Sequence, residues 1–221
     1  MLIKYFNDPD KLLNMTSILL SGVGTTVSIF LLTLLLAIPL GMLVAVGRMS
    51  RVRVLSGGIS FYIYIMRSTP LMLQVMFIYF LLPQVLPFKI DRFWAVIFSF
   101  VINYAAYFAE IFRGGIQSIP PGQREAGFVL GYSRMQIFFR IVLPQVAKRV
   151  ILPVTNEVIT LVKDTALAST VAITEVLTIA KKQASASVSV DPYIVAMVIY
   201  LILNGIAEQA CKLVERKLNY Y

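Results

Sequence analysis

Residues 22–46 read GVGTTVSIFLLTLLLAIPLGMLVAV, with no charged side chain anywhere in the run. A helix crossing about 30 Å of hydrocarbon needs roughly 20 mostly apolar residues, and this stretch supplies them. It ends at Arg48, Arg51 and Arg53. Inside it, Ala37, Gly41 and Ala45 recur every four residues, a stripe of small side chains on one helical face where another helix can approach closely. Pro39 sits within the run, at a position where proline kinks a helix. Several other stretches reach a similar length, so the fold class expected is an all-α integral membrane protein.

Composition agrees. Of 221 residues, 58% are apolar and 14% charged, where a soluble chain carries roughly 25% charged residues. The net charge of +9 does not form a solvated basic patch with interleaved aromatics, which argues against nucleic acid. The basic residues fall instead in the connections between apolar runs. With no His and the single Cys211, the chain lacks the makings of Ser-His triads, His-containing metal sites and internal disulfides. Cys211 reads as a small apolar residue near a helix end.

Residues 1–17 are polar and lack the layout of a cleaved signal peptide. Beyond the first span, the apolar stretch 54–82 is interrupted by Arg67-Ser68-Thr69-Pro70. Proline disfavours helical backbone at the residue before it, so a short helix to Met66, a break, and a span over 71–82 are expected. Residues 83–92 form a loop. A third span covers 93–112, with Trp94 as an interfacial anchor. Residues 113–150 are polar and basic, a fourth membrane region covers 151–180, 181–192 form a loop, and a last span covers 193–211. The chain is thus a single transmembrane domain, 1–221, with no internal repeat.

Five crossings put the termini on opposite sides. With the amino terminus outside, the inner segments hold Arg48, Arg51, Arg53, Arg113, Arg124, Arg134, Arg140, Lys148, Arg149, Lys212, Arg216 and Lys217. The outer ones hold only Lys4, Lys11, Lys89, Arg92, Lys181 and Lys182. Positive residues favour the cytoplasm, so the amino terminus is expected outside, the carboxyl terminus inside and 113–150 in the cytoplasm.

That loop carries a spaced pattern: Glu125-Ala126-Gly127, three residues to Gly131, then nine to Ile141-Val142-Leu143-Pro144. It resembles the coupling motif of permease subunits of ATP-binding-cassette importers, which reads EAA, three residues, G, nine residues, I-x-L-P. Gly127 stands for the second alanine and keeps the position small. Small side chains at 126 and 127 let a neighbouring surface come close, Gly131 is suited to ending a short helix, and Glu125 offers a charge-assisted contact. The alternative reading is an amphipathic helix lying on the membrane, with Phe128, Met135, Phe138 and Phe139 towards lipid.

Further segments resemble polar amino acid permeases: Arg67-Ser68-Thr69-Pro70-Leu71, residues 107–116 (YFAEIFRGGI), Gly122-Gln123, Asn156-Glu157 and Lys163-Asp164-Thr165-Ala166-Leu167. The likeness covers most of 20–210. It implies a five-helix core, a second permease chain (a homodimer expected), two copies of a separate ATP-binding subunit, an extracytoplasmic solute-binding protein, and residence in a prokaryotic inner or plasma membrane. It also implies that Glu125, Ala126, Gly127, Gly131, Ile141, Leu143 and Pro144 dock on that ATPase. The chain holds no G-x-x-x-x-G-K-[ST] phosphate loop, so if ATP drives it the ATPase is another chain, and the resemblance implies a transport subunit, not an enzyme. ATP and Mg belong to the partner, and no cofactor is expected here.

Ionisable residues at membrane depth are costly and face a cavity or a partner. Glu157 and Asp164 are seven apart and share a helical face, with Thr160 between them. Two carboxylates on one buried face suit a cation, which suggests arginine, lysine or histidine as cargo; an internal pair with Arg67 or Lys163 is the structural alternative. Lys163 and Arg67 are candidates for the substrate carboxylate. Asn103 and Tyr107 are candidate pathway residues, or else bonds between helices, and Glu110 is placed to pair with Arg113. Two other functions remain open: an ion-coupled secondary transporter using Glu157 and Asp164, which inverted repeats would support, and a membrane scaffold.

Overall fold

The computed structural model describes residues 8–85 and 90–218, and among them the backbone is helical with no strand. Asp8 caps α1 (Pro9–Leu20) by accepting from the Lys11 N–H. A tight turn leads into α2 (Val23–Arg48), which runs through Pro39 as one helix. The segment before the first long apolar run is helical from Pro9, and Met15 and Leu19 of α1 are buried against Val176, Ile179 and Ala180. Lys4 and Lys89 lie outside the described residues.

The expected break is present. α3 (Arg53–Ser68) and α4 (Leu71–Met76), which continues through a π-helical turn (Phe77–Leu81) into α5 (Leu82–Val85), meet at 107°. Thr69 and Pro70 are extended at the bend, as the residues around a proline must be. The central helix α6 (Arg92–Gln117) begins at the cap Asp91 and is buried along much of its length.

Small residues set the central packing. Ala37, Gly41 and Ala45 of α2 are all buried, against Ala105, Phe108 and Ala109 of α6. A Cβ on Gly41 would lie 2.7 Å from the Phe108 Cβ and 3.1 Å from the Ala105 carbonyl oxygen, so only glycine permits this approach. Close backbone contact is the main source of helix association where lipid removes the hydrophobic drive.

Downstream, α7 (Pro121–Val129) and α8 (Arg134–Ile137) form a short hairpin, and a π-helical turn (Phe138–Val142) passes into α9 (Leu143–Asp164). The basic connection 113–150 is thus largely helical, and α9 runs from it without a break into the fourth apolar region. After a 3-10 segment (Thr165–Val171) come α10 (Val176–Ser187) and α11 (Asp191–Leu218). Residues 181–187, expected as loop, belong to α10; their Lys, Gln, Ala and Ser are all compatible with helix. Cys211 is half-buried in α11, beside Val158, Val162 and Ala207.

Among the described residues three helices are long and apolar enough to cross a membrane, Pro9–Arg48 (α1 with α2), Arg92–Gln117 and Asp191–Lys217, with the bent pair as a fourth. α9 is not among them, since Lys148, Arg149, Glu157, Lys163 and Asp164 dilute its apolar face. Five crossings do not follow from length and composition.

Candidate functional site

The bend between α3 and α4 opens a cavity of about 630 Å³ against α6 and α9. α6 supplies Asn103, Tyr104 and Tyr107; α9 supplies Glu157, Thr160 and Asp164; the bend supplies Arg67 and the extended Thr69-Pro70. Six of the seven residues expected at a substrate site therefore line one cavity, although they come from three separate segments. Lys163 does not. It lines a different hollow with Tyr193, Met197 and Tyr200 of α11. The reason is geometric: adjacent helical residues point about 100° apart, so Lys163 cannot share the Asp164 face.

The cavity is held open by polar bonds between helices. Asn103 donates through Nδ2 to the Met66 carbonyl at 2.9 Å and to Gln74 Oε1 at 3.0 Å. Gln74 Nε2 in turn donates to the Met66 carbonyl (3.1 Å), the Thr69 carbonyl (3.2 Å) and Thr69 Oγ1 (2.7 Å). Bending the chain at Pro70 frees backbone carbonyls that lipid cannot satisfy, and these two amides satisfy them. Asn103 thus fixes the bend as well as facing the cavity. Gln74 was not legible as a site residue, since a lone glutamine in an apolar run carries no spacing signal.

Tyr104, also absent from the expected set, donates its hydroxyl to Asp164 Oδ2 at 2.8 Å. Its ring lies 6.3 Å from that of Tyr107. The Arg67 guanidinium sits 5.2 Å from the centre of the Tyr107 ring, a distance at which a cation and an aromatic face attract. Thr160 donates back to the Asn156 carbonyl at 2.9 Å. No ion pair joins Glu157 or Asp164 to Arg67 or Lys163 among the described residues. The cavity accordingly offers two carboxylates on one wall and a guanidinium on the other, a layout able to hold a dipolar molecule with an additional positive group.

Glu110 and Arg113 form the local pair expected from their spacing, with Nε to Oε1 at 2.9 Å and Nη2 to Oε2 at 2.5 Å. Glu175 lies apart from this cavity. Fully buried, it caps α10, accepting from the Leu177 and Thr178 N–H groups, from Thr178 Oγ1 and from Tyr200 Oη at 2.6–2.9 Å. A buried carboxylate with four donors is a satisfied structural group.

The spaced segment 125–144 forms a second feature. Glu125 and Ala126 are exposed on α7, while Gly127 is buried. A Cβ there would come within 2.8 Å of Ile137 Cγ1 and 3.0 Å of Ile141 Cδ1. The smallness of residue 127 therefore serves packing within the hairpin. Gly131, at φ +77°, ends α7 as a helix-stopping glycine does: the Tyr132 and Gly131 N–H groups donate to the Gly127 and Phe128 carbonyls, each at 3.0 Å. Ser133 and Gln136 then form a reciprocal cap that starts α8. Ile141, half-buried, packs on this turn, and Leu143 and Pro144 open α9 with their side chains exposed. Phe128, Val129, Leu130, Met135 and Phe139 leave an exposed apolar surface on the hairpin.

Residues 37–220 match the family model of the binding-protein-dependent transport system inner membrane component. The chain is 36% identical over 201 residues to the arginine transport system permease protein of Bacillus subtilis, covering 90% of this chain and 92% of that one. It is 38% identical over 217 residues to the octopine transport system permease protein of Rhizobium radiobacter, covering 94% and 89%. Among solved structures it superposes on a crystal structure of an amino acid ABC transporter with histidines, at a TM-score of 0.87 and 28% identity, covering 98% of this chain and all of that one.

Proposed function

From the premise that this chain belongs to the binding-protein-dependent transport system inner membrane components, as the permease subunit of an amino acid ABC importer, we propose that its cargo is a basic amino acid. ATP hydrolysis resides in a partner ATPase, and a substrate-binding protein serves the family. The observation that carries the specificity is the pairing of Glu157 and Asp164, spaced by Thr160, on one wall of a cavity with Arg67 on another. The carboxylates suit the ammonium or guanidinium of arginine, lysine or histidine, and Arg67 suits the α-carboxylate. Relatives named for arginine and octopine, and a neighbour crystallised with histidines, are consistent with such cargo.

The arrangement that completes this reading is a homodimer of permease chains with two ATP-binding subunits carrying ATP and Mg. Each chain crosses the membrane five times, with the amino terminus outside and 113–150 in the cytoplasm. The 125–144 hairpin docks on the ATPase through Glu125 and Ala126, while Gly127, Gly131 and Ile141 fix its shape. Closure of the ATPase draws the two hairpins together and turns the cavities outward; hydrolysis returns them inward. Uptake by proteoliposomes containing the full complex tests the cargo. Arginine uptake that falls about tenfold or more in Glu157→Gln, the scale of losing one partner of a buried charge pair, supports it. Uptake of glutamine that exceeds arginine in the unaltered complex overturns it.

A further inference from the structure

We propose that a hollow at the ends of α2 and α6, rimmed by Arg51, Arg124 and Arg134, holds the headgroup of an anionic phospholipid. The hollow measures about 540 Å³ and is floored by apolar side chains, among them Val46, Phe128 and Phe138. All three arginines are exposed, and no hydrogen bond, ion pair or ring contact ties any of them to another described residue. Among the described residues no acid lines the hollow. Glu125 lines the adjoining one, which shares Arg124. Three uncompensated guanidinium groups converging on a partly apolar hollow make a site for a phosphate, since arginine presents a fork of donors that fits phosphate oxygens.

Its position selects lipid over soluble phosphate. α2 and α6 are each 26 residues long, which at about 1.5 Å per residue carries them past roughly 30 Å of hydrocarbon into the headgroup layer. The hollow lies where both end. On α2, Leu35, Pro39, Met42 and Val46 form an exposed stripe at helical spacing that runs down the span into it. An acyl chain lying on that stripe delivers its headgroup to the arginines. Basic pockets between membrane helices bind anionic headgroups in this way. The proposal requires only that α2 and α6 cross a membrane, not that the chain carries any particular cargo.

The test is lipid retention by the full-length chain purified in detergent, read by native mass spectrometry during titration with phosphatidylglycerol or phosphatidylcholine. Phosphatidylglycerol should bind selectively, about fivefold more weakly in Arg51→Gln and about a hundredfold more weakly when Arg124→Gln and Arg134→Gln are added. Arg216→Gln with Lys217→Gln, at the end of α11, should leave retention unchanged. The single Arg51→Gln variant carries the test if the triple variant fails to fold. Unchanged phosphatidylglycerol retention in the arginine variants overturns the proposal. So does equal binding of inorganic phosphate that displaces the lipid, or retention that is intact while capture of the ATP-binding subunit is lost, which assigns the arginines to a protein interface.

Discussion

Tyr104 and Asp164, 60 residues apart in sequence, meet at 2.8 Å through the phenolic hydroxyl and a carboxylate oxygen. The bond fixes the last turn of α9 on α6 and orients one of the two carboxylates that face the cavity. Tyr104→Phe should lower the stability of the purified chain by about 1–2 kcal/mol. A double-mutant cycle with Asp164→Asn, read by thermal unfolding, should return that energy as coupling. Additive effects would show that the two groups act independently.

The contact of α2 on α6 leaves no room for a side chain at residue 41. Gly41→Ala places a Cβ 2.7 Å from Phe108 Cβ and 3.1 Å from a backbone oxygen. It should cost about 1–3 kcal/mol, the scale of overpacking, and lower the unfolding temperature in detergent. Gly24→Ala, where a Cβ meets nothing within 4 Å, is the control and should be neutral or slightly stabilising.

The hairpin of α7 and α8 depends on Gly131 at φ +77°. Gly131→Ala should strain the turn by about 1–2 kcal/mol and weaken co-purification of the ATP-binding subunit without altering the cavity. Loss of arginine uptake with full ATPase association would separate the turn from docking.

One substitution should act in the opposite direction. Val188, a β-branched residue at φ 48°, closes α10 while 69% exposed. Val188→Gly removes the left-handed strain and should raise stability by about 0.5–1 kcal/mol after the added chain entropy is offset. An unfolding temperature that falls would show that the Val188 side chain makes contacts worth more than the strain.

Features set by local spacing were legible in the sequence. The stripe Ala37, Gly41, Ala45 and the bend at Arg67–Pro70 needed only helical periodicity and the steric demand of proline. Glu157, Thr160 and Asp164 share a wall because 3 and 4 residues along a helix return to the same side. The same rule excludes Lys163, one residue from Asp164, from the cavity. What spacing could not supply were partners from distant segments: Tyr104 on Asp164, Gln74 and Asn103 on the carbonyls freed at the bend, and the four donors that make Glu175 a buried cap. The polar stretch 181–187 was expected as a loop on polarity, and the basic stretch 134–150 only as part of the connection between spans. Their residues favour helix once tertiary packing gives one face something to cover, as Val142, Val146, Val150 and Ala184 do.

The most direct measurement is ATP hydrolysis by the full complex in liposomes, for the unaltered chain and for Glu125→Lys, with binding protein loaded with arginine or with glutamine. Glu125 is exposed on α7 and makes no hydrogen bond or ion pair with another described residue, so its loss disturbs nothing within the chain. The expected result is stimulation by arginine-loaded protein that Glu125→Lys abolishes. Stimulation by glutamine alone would contradict a cavity built for a basic amino acid, and stimulation unchanged in Glu125→Lys would contradict coupling through the 125–144 hairpin.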